Sequence, residues 1–169
     1  FNMNVSFNIS YLLAANGTTT NSYIPFEGLY LDANQHNQII YPSSMLTPML
    51  GRQISSITFY LSSPPSAPWT SQSTWKIGTT TTNTLSGFIT VPSTIVYTGL
   101  MPVVSNSVTI TFTEPFIYSG DNLIIDFSNI AANWKSASFY GISQTGASYY
   151  GRTSTVNNFL PKIKFELVP

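Results

Sequence analysis

The stretch FTEPFIYSGDNLIIDFSN, residues 112–129, decides the fold because it holds two strand patterns around a turn. In the turn, Gly120 can adopt a positive φ and Asp121 can bond its own backbone. The segment NLIIDF at 122–127 alternates between two faces, as a strand does. The stretch therefore predicts a β-hairpin. The residues expected on one face of its second strand are Leu123, Ile125 and Phe127, with Ile124 and Asp126 on the other.

The two aspartates of this stretch, Asp121 and Asp126, raise the question of an active site. An odd spacing puts two side chains of one strand on opposite faces, whereas a catalytic acid and base must face one substrate. We therefore expect Asp121 in a turn, Asp126 on a strand and no shared pocket. Asp121 with loop carbonyls is also a candidate for a structural calcium ion.

The period of two recurs along the whole chain, and β-branched and aromatic residues dominate these segments. Turn clusters such as SSPPSAP and TVNNFLP separate them. We predict a single all-β domain over residues 1–169, an antiparallel β-sandwich or jelly roll of about ten short strands. The strand candidates are 1–9, 22–26, 38–42, 53–61, 74–81, 94–99, 107–113, 122–127, 136–142, 147–151 and 162–168.

Charge and composition exclude several classes of function. Six basic and six acidic residues make up 7% of the chain, against about 25% in an ordinary soluble domain. Without a cluster of Lys and Arg, neither nucleic acid nor an anionic membrane is an expected partner. No apolar run approaches the roughly 20 residues of a membrane span, so membrane insertion is not expected. The opening FNMNVSFNIS is typical of a processed secreted protein or an excised module.

The first residues form the most regular alternation in the chain. We expect a strand over 1–9 and a flexible connector, AANGTTTN, which together separate residues 1–19 from a sandwich body at 20–169. The strand either folds back onto its own sheet or is donated to the sheet of a neighbouring copy. Donation is head-to-tail and would build a filament. The side chains of this assembly strand would be Phe1, Met3, Val5, Phe7 and Ile9.

Several segments occur together in an order that resembles a known module. They are YIPFEGLYLDANQHNQIIYPSSML, ISSITFYLSS, WKIGTTT, VYTG, ITFTEPFIYSGDNLIIDF, NWKSASFYG and LPKIKFEL. The chain resembles, over Thr20 to Val168, a β-sandwich module of secreted and cell-surface multidomain proteins of Bacteroidetes-type bacteria. The resemblance implies an extracellular or cell-surface location and a role in adhesion, glycan contact or assembly, without catalysis. Residues 1–17 have no counterpart in that pattern.

Trp69 is the first candidate for a carbohydrate contact. It lies in the proline-rich loop SSPPSAPWTSQS, where we expect an exposed ring able to stack on a pyranose, or a ring packed against a neighbouring loop. Ser71 and Gln72 would supply hydrogen bonds to the sugar. Trp75 and Trp134 begin strand patterns and are expected in the core or at its rim.

The second candidate is the segment GASYYGR. Tyr149 and Tyr150 are adjacent, so they point to opposite faces of a strand, and one of them should lie outward beside Arg152. The single histidine, His36, is expected in a loop or at a strand edge. With one His, no Cys and no GxSxG motif, we expect neither a zinc site nor a serine-hydrolase triad.

These patterns favour a non-catalytic, extracellular structural or adhesive surface subunit that self-assembles through its N-terminal strand. A carbohydrate-binding module that uses exposed aromatic residues is the alternative. The expected partners are copies of the chain itself or neutral glycans, and no cofactor is expected.

Overall fold

A computed structural model describes residues 8–28, 34–90, 94–130 and 135–169. Strands account for 55% of the structure, which confirms the all-β prediction, and the described residues contain no α-helix. Short 3₁₀ turns occur at Ser43–Met45, Thr47–Met49 and Gly151–Thr153. The strands of the described residues are β1 Tyr11–Ala14, β2 Thr19–Asn21, β3 His36–Tyr41, β4 Gln53–Ser63, β5 Ser73–Thr80, β6 Ile95–Gly99, β7 Val103–Val104, β8 Ser107–Ile117, β9 Asn122–Asn129, β10 Ser138–Tyr150, β11 Thr155–Pro161 and β12 Ile163–Leu167.

The strands form an antiparallel arrangement consistent with a β-sandwich. One layer has the order β1-β12-β4-β8-β7. The other has the order β6-β5-β9-β3-β10, and β2 and β11 also pair with β10. The start of β10 pairs with the end of β4, so the two layers are joined at one corner.

Aromatic rings fill the space between the layers. Phe59 on β4 stacks on Trp75 of β5 with ring centroids 5.6 Å apart, and Tyr41 on β3 meets Phe165 of β12 at 5.8 Å. All four side chains are buried. Edge-on and offset contacts of this kind stabilise a core beyond the area they bury. Trp75 is therefore a core residue, as predicted, whereas Trp134 lies outside the described residues.

The central strands β3 and β9 are buried on both faces. On β9 the predicted alternation is correct: Leu123 and Ile125 belong to the main core, and Ile124 faces the other side. On that outer side, residues 81–90 cross the sheet and cover it with Leu85. A strand covered on both faces carries a nearly continuous apolar run, which explains the sequence NLIIDF.

The N-terminal segment differs from its prediction. Residues 8–10 are not in a strand, and β1 begins at Tyr11 and pairs with β12 of its own chain. The expected flexible connector is wrong, because Ala14 and Ala15 are buried and Thr19–Asn21 pairs with β10. Of the predicted assembly side chains, Ile9 is half-buried against the core. The others, Phe1, Met3, Val5 and Phe7, lie outside the described residues, and their donation stays a prediction.

Candidate functional site

The candidate site is a hollow of about 430 Å³ beside the turn between β10 and β11. One wall is this turn and the start of β11, and the other is the segment that follows β2. Its volume is within the range of small-molecule sites, about 300–1,000 Å³. The lining residues are Tyr23, Glu27, Tyr150, Arg152, Thr153, Thr155 and Asn157.

Glu27 is the acidic residue of the hollow. It is only 3% exposed. The side-chain amide of Gln35 forms two hydrogen bonds with the main chain of Glu27: it donates to the Glu27 carbonyl, and it accepts from the Glu27 N–H at 2.8 Å. The carboxylate Oε2 lies 3.9 Å from Nη1 of Arg152 and has no hydrogen bond within the described part of the chain. Burial raises the pKa of the Glu27 carboxyl, and the Arg152 charge partly opposes that rise.

Tyr150 contributes a second polar atom without a partner. Its side chain is 3% exposed, and among the described residues nothing hydrogen-bonds to its hydroxyl. The Tyr23 ring lies beside it, with centroids 5.4 Å apart, and is 46% exposed. Buried polar atoms in native proteins nearly always have hydrogen-bond partners. Two such atoms on residues that line one hollow, next to an accessible ring, make the hollow a candidate site for a polar ligand.

The Asn37 side chain holds the two walls of the hollow together. From the core face of β3, its Nδ2 donates to the Pro25 carbonyl at 2.9 Å, and its Oδ1 accepts from the Gly151 N–H at 3.2 Å. Residue 151 must be glycine, since a Cβ there would lie 2.2 Å from the main-chain oxygen of His36. Asn37 therefore fixes the turn that carries Arg152 against the segment that carries Glu27.

Of the two alternatives for Trp69, the ring packed against a neighbouring loop is correct and the exposed ring is wrong. Its side chain is 2% exposed, its Nε1 donates to the Lys135 carbonyl at 3.0 Å, and its ring meets Phe26 edge-on at 5.0 Å. Stiffening by proline did not keep the ring outside, because a core aromatic ring and a backbone acceptor were both within reach. Trp69 is a core residue with no face for a sugar.

The two residues expected to assist Trp69 also lie away from the hollow. Ser71 is buried and accepts a hydrogen bond from the Asn129 side chain. Gln72 is exposed, and its main-chain oxygen accepts from the Ile130 N–H. Neither belongs to the lining of the hollow.

The tyrosine pair is divided between the two faces of β10. Tyr150 belongs to the main core and lines the hollow with Arg152, whereas Tyr149 packs in the outer cluster with Ile40 and Ile124. The predicted division between opposite faces is correct, but both side chains are buried, so neither lies exposed beside Arg152. The exposed aromatic ring of the hollow is Tyr23, which the sequence patterns did not single out.

A second polar cluster lies on the outer face of β3 and β9. His36 is the first residue of β3, at a strand edge and not in a loop, and its Nε2 is 2.5 Å from Oδ2 of the buried Asp126. The Gln38 Nε2 donates to the same oxygen at 3.0 Å and to the Ile89 carbonyl at 3.0 Å, while the Ile89 N–H donates back to Gln38 Oε1. The His36 ring stacks on Phe88 at 4.0 Å. These bonds attach residues 88 and 89 to the sheet.

Asp121 and Asp126 lie in different places, as predicted. Asp121 has a φ of 61° in the turn before β9, next to Gly120 with a φ of 116°. It lines a hollow of about 240 Å³ whose other residues include Ser43 and Tyr118. Asp126 is within β9. Among the described residues, no group of three or more His, Cys, Asp or Glu side chains could hold a metal ion.

Comparison with known proteins assigns no family: no protein-family model and no curated protein matches this chain. The resemblance to a surface module of Bacteroidetes-type bacteria stays a prediction. Within the described ranges, no helix has the length and apolar character needed to cross a membrane.

Proposed function

We propose that this chain is a non-catalytic carbohydrate-binding module, and that the sugar occupies the hollow between Tyr23, Glu27, Tyr150 and Arg152. The observation that supports this most is a pair of buried polar atoms, Glu27 Oε2 and the Tyr150 hydroxyl, which belong to two residues that line one hollow and have no hydrogen-bond partners among the described residues. A sugar is a ligand with many hydroxyl groups on a partly apolar ring. It offers hydrogen bonds to both atoms and a face for an aromatic side chain.

The exposed Tyr23 ring supports a sugar over a purely ionic ligand. It stands at the edge of the hollow, tilted by 53° from Tyr150, with nearly half of its surface accessible. An aromatic ring held this way offers an apolar surface to the C–H face of a pyranose and a hydroxyl at its rim. Threonine and asparagine side chains complete the lining with neutral hydrogen-bonding groups.

Binding is favoured over hydrolysis because one carboxyl group, that of Glu27, is found among the described residues that line the hollow. Glycosidases act with two carboxyl groups on either side of the scissile bond, about 5–9.5 Å apart. A surface with few charges, where hydroxyl and amide groups supply the polarity, is also suited to contact with neutral polymers. We propose an extracellular or cell-surface setting for this activity, in which glycan contact serves adhesion.

The proposal is tested by screening the folded protein against a glycan array and measuring the hits by calorimetry. Tyr23→Ala should weaken binding by about 1–3 kcal/mol, the value of covering such a ring. Tyr11→Ala is the matched control, since Tyr11 is a similarly exposed tyrosine (53% against 46%) on the outermost strand of the other layer. A flat array response, or an equal loss in both variants, would contradict the proposal.

A further inference from the structure

We infer that the hollow selects a neutral sugar, that one hydroxyl of this sugar bridges Glu27 and Arg152, and that sugars with a carboxylate are rejected. This inference rests on the proposed function and names the ligand class of the same site. It assigns Glu27 as the residue that determines specificity. The geometry that points to it is the buried Oε2 of Glu27, which has no hydrogen-bond partner in the described part of the chain and lies 3.9 Å from the Arg152 guanidinium.

The spacing of the two charged groups determines which chemical group fits them. A distance of 3.9 Å is too long for a direct hydrogen bond. A carboxylate oxygen only accepts hydrogen bonds and a guanidinium only donates them. A hydroxyl can do both, so it can donate to Glu27 and accept from Arg152. A ligand carboxylate has no proton to donate to Glu27, and an ammonium group has no acceptor for Arg152.

Electrostatics favours the same ligand class. Among the described residues that line the hollow, the carboxylate of Glu27 and the guanidinium of Arg152 are the two charged groups, and their charges are opposite. A second carboxylate placed beside the buried Glu27 would meet a like charge where water screens it poorly. A neutral ring adds no charge and still supplies the missing donor.

The protonation of Glu27 determines the direction in which binding affinity changes with pH, and this direction can be measured. Burial raises the pKa of its carboxyl in the free protein. A ligand that donates to the carboxylate stabilises its ionised form, so affinity for a neutral sugar should fall as the pH is lowered through that pKa. A sugar with a carboxylate would bind only after Glu27 takes up a proton. Its affinity would therefore rise as the pH is lowered.

Tyr150 supplies the second fixed contact. Its hydroxyl can donate to the ring oxygen or to a neighbouring hydroxyl of the same sugar, because it carries one donor and accepting lone pairs. The hydroxyl is buried and its ring is fixed by the core. The sugar is thus oriented by one acceptor, one donor and the face of Tyr23.

The experiment measures binding of a small panel of ligands by calorimetry and ligand-observed NMR. The panel contains the methyl glycosides of glucose, galactose and mannose, then glucuronate and galacturonate, and finally glucosamine. We expect the neutral glycosides to bind, and Glu27→Gln to weaken them about ten- to a hundredfold, as loss of a hydrogen bond to a charged group does. Glu114→Gln is the matched control, because it removes the same charge from an exposed position on β8.

A pH series from about 5 to 8 on the unmodified protein supplies a second measurement that needs no variant. We expect affinity for the neutral glycosides to decrease towards acid pH, and the dependence to be flat in Glu27→Gln. If uronates or glucosamine bind more tightly than the neutral glycosides and Tyr23→Ala weakens their binding, the inference is wrong and the proposed function stands. If no member of the panel and no glycan on the array binds, both are wrong.

Discussion

Replacing Tyr150 by Phe removes a buried hydroxyl that has no hydrogen-bond partner among the described residues, and should make the ligand-free protein more stable. A buried hydroxyl without a hydrogen bond costs about 1–3 kcal/mol, and we take the lower end of that range as the expected gain. The phenyl ring would keep its contacts with Tyr23 and the main core. We expect the free energy of unfolding to rise by about 1 kcal/mol, which is about 2–4 °C in Tm for a chain of this size. Affinity for the sugar should fall about five- to tenfold at the same time.

Tyr41→Phe is the matched control for this experiment. Tyr41 is equally buried, but its hydroxyl donates to the Pro161 carbonyl at 2.7 Å, and burial raises its pKa so that it remains a donor. Its loss leaves a buried carbonyl unpaired, so we expect this variant to be less stable by about 1–2 kcal/mol with unchanged sugar binding. Urea unfolding and calorimetry measure both quantities. A Tyr150→Phe protein that is destabilised as much as Tyr41→Phe would refute the reasoning, because the Tyr150 hydroxyl would then have a structural partner.

Three further results are expected. Trp69→Ala should lower the free energy of unfolding by about 3–5 kcal/mol, whereas Trp69→Phe should fold and bind sugar normally. If a folded Trp69→Phe protein binds sugar more weakly, Trp69 contributes to the binding site and the prediction is wrong. The raised pKa of Glu27 means that the folded chain keeps this proton to higher pH than the unfolded chain. The free energy of unfolding should therefore fall as the pH rises from 4.5, the ordinary pKa of a glutamate, through the raised pKa of Glu27. This pH dependence should be absent in Glu27→Gln. Urea-unfolding measurements that give the two proteins the same pH dependence would contradict the prediction. Deleting residues 1–7 should leave a folded monomer and abolish any assembly seen by sedimentation, while a full-length chain that stays monomeric at high concentration would count against strand donation.

The features that could be predicted from the sequence are those set by neighbouring residues. Alternation alone assigned Leu123 and Ile125 to one face of β9 and Asp126 to the other, since side chains in a strand alternate strictly. Turn chemistry placed Asp121 outside that strand for the same local reason. The all-β class follows from repeating such local patterns along the chain.

The candidate site could not be predicted because it depends on which strands pair. Glu27 and Arg152 meet only after β3 has paired with β10, and His36 reaches Asp126 across a separation of 90 residues. The alternation of residue types along a strand carries no information about which distant residues will lie beside it. For Trp69, loop composition left both exposure and packing against a neighbouring loop open, and tertiary contacts with Phe26 decided its burial. The sequence contained one local signal for the site, because Arg152 lies two residues after Tyr150, the last residue of β10, and both residues line the hollow.

The amides of β3 give this strand a role in the accuracy of folding. Asn37 on one face bonds the two walls of the hollow, and Gln38 on the other face bonds the backbone of Ile89. A slip of one residue in the pairing of β3 would exchange its faces and leave both amides without these partners. A misregistered chain would therefore lack the hollow as well. Because a ligand that binds only the native state stabilises that state, sugar present during refolding should increase the yield of correctly paired protein.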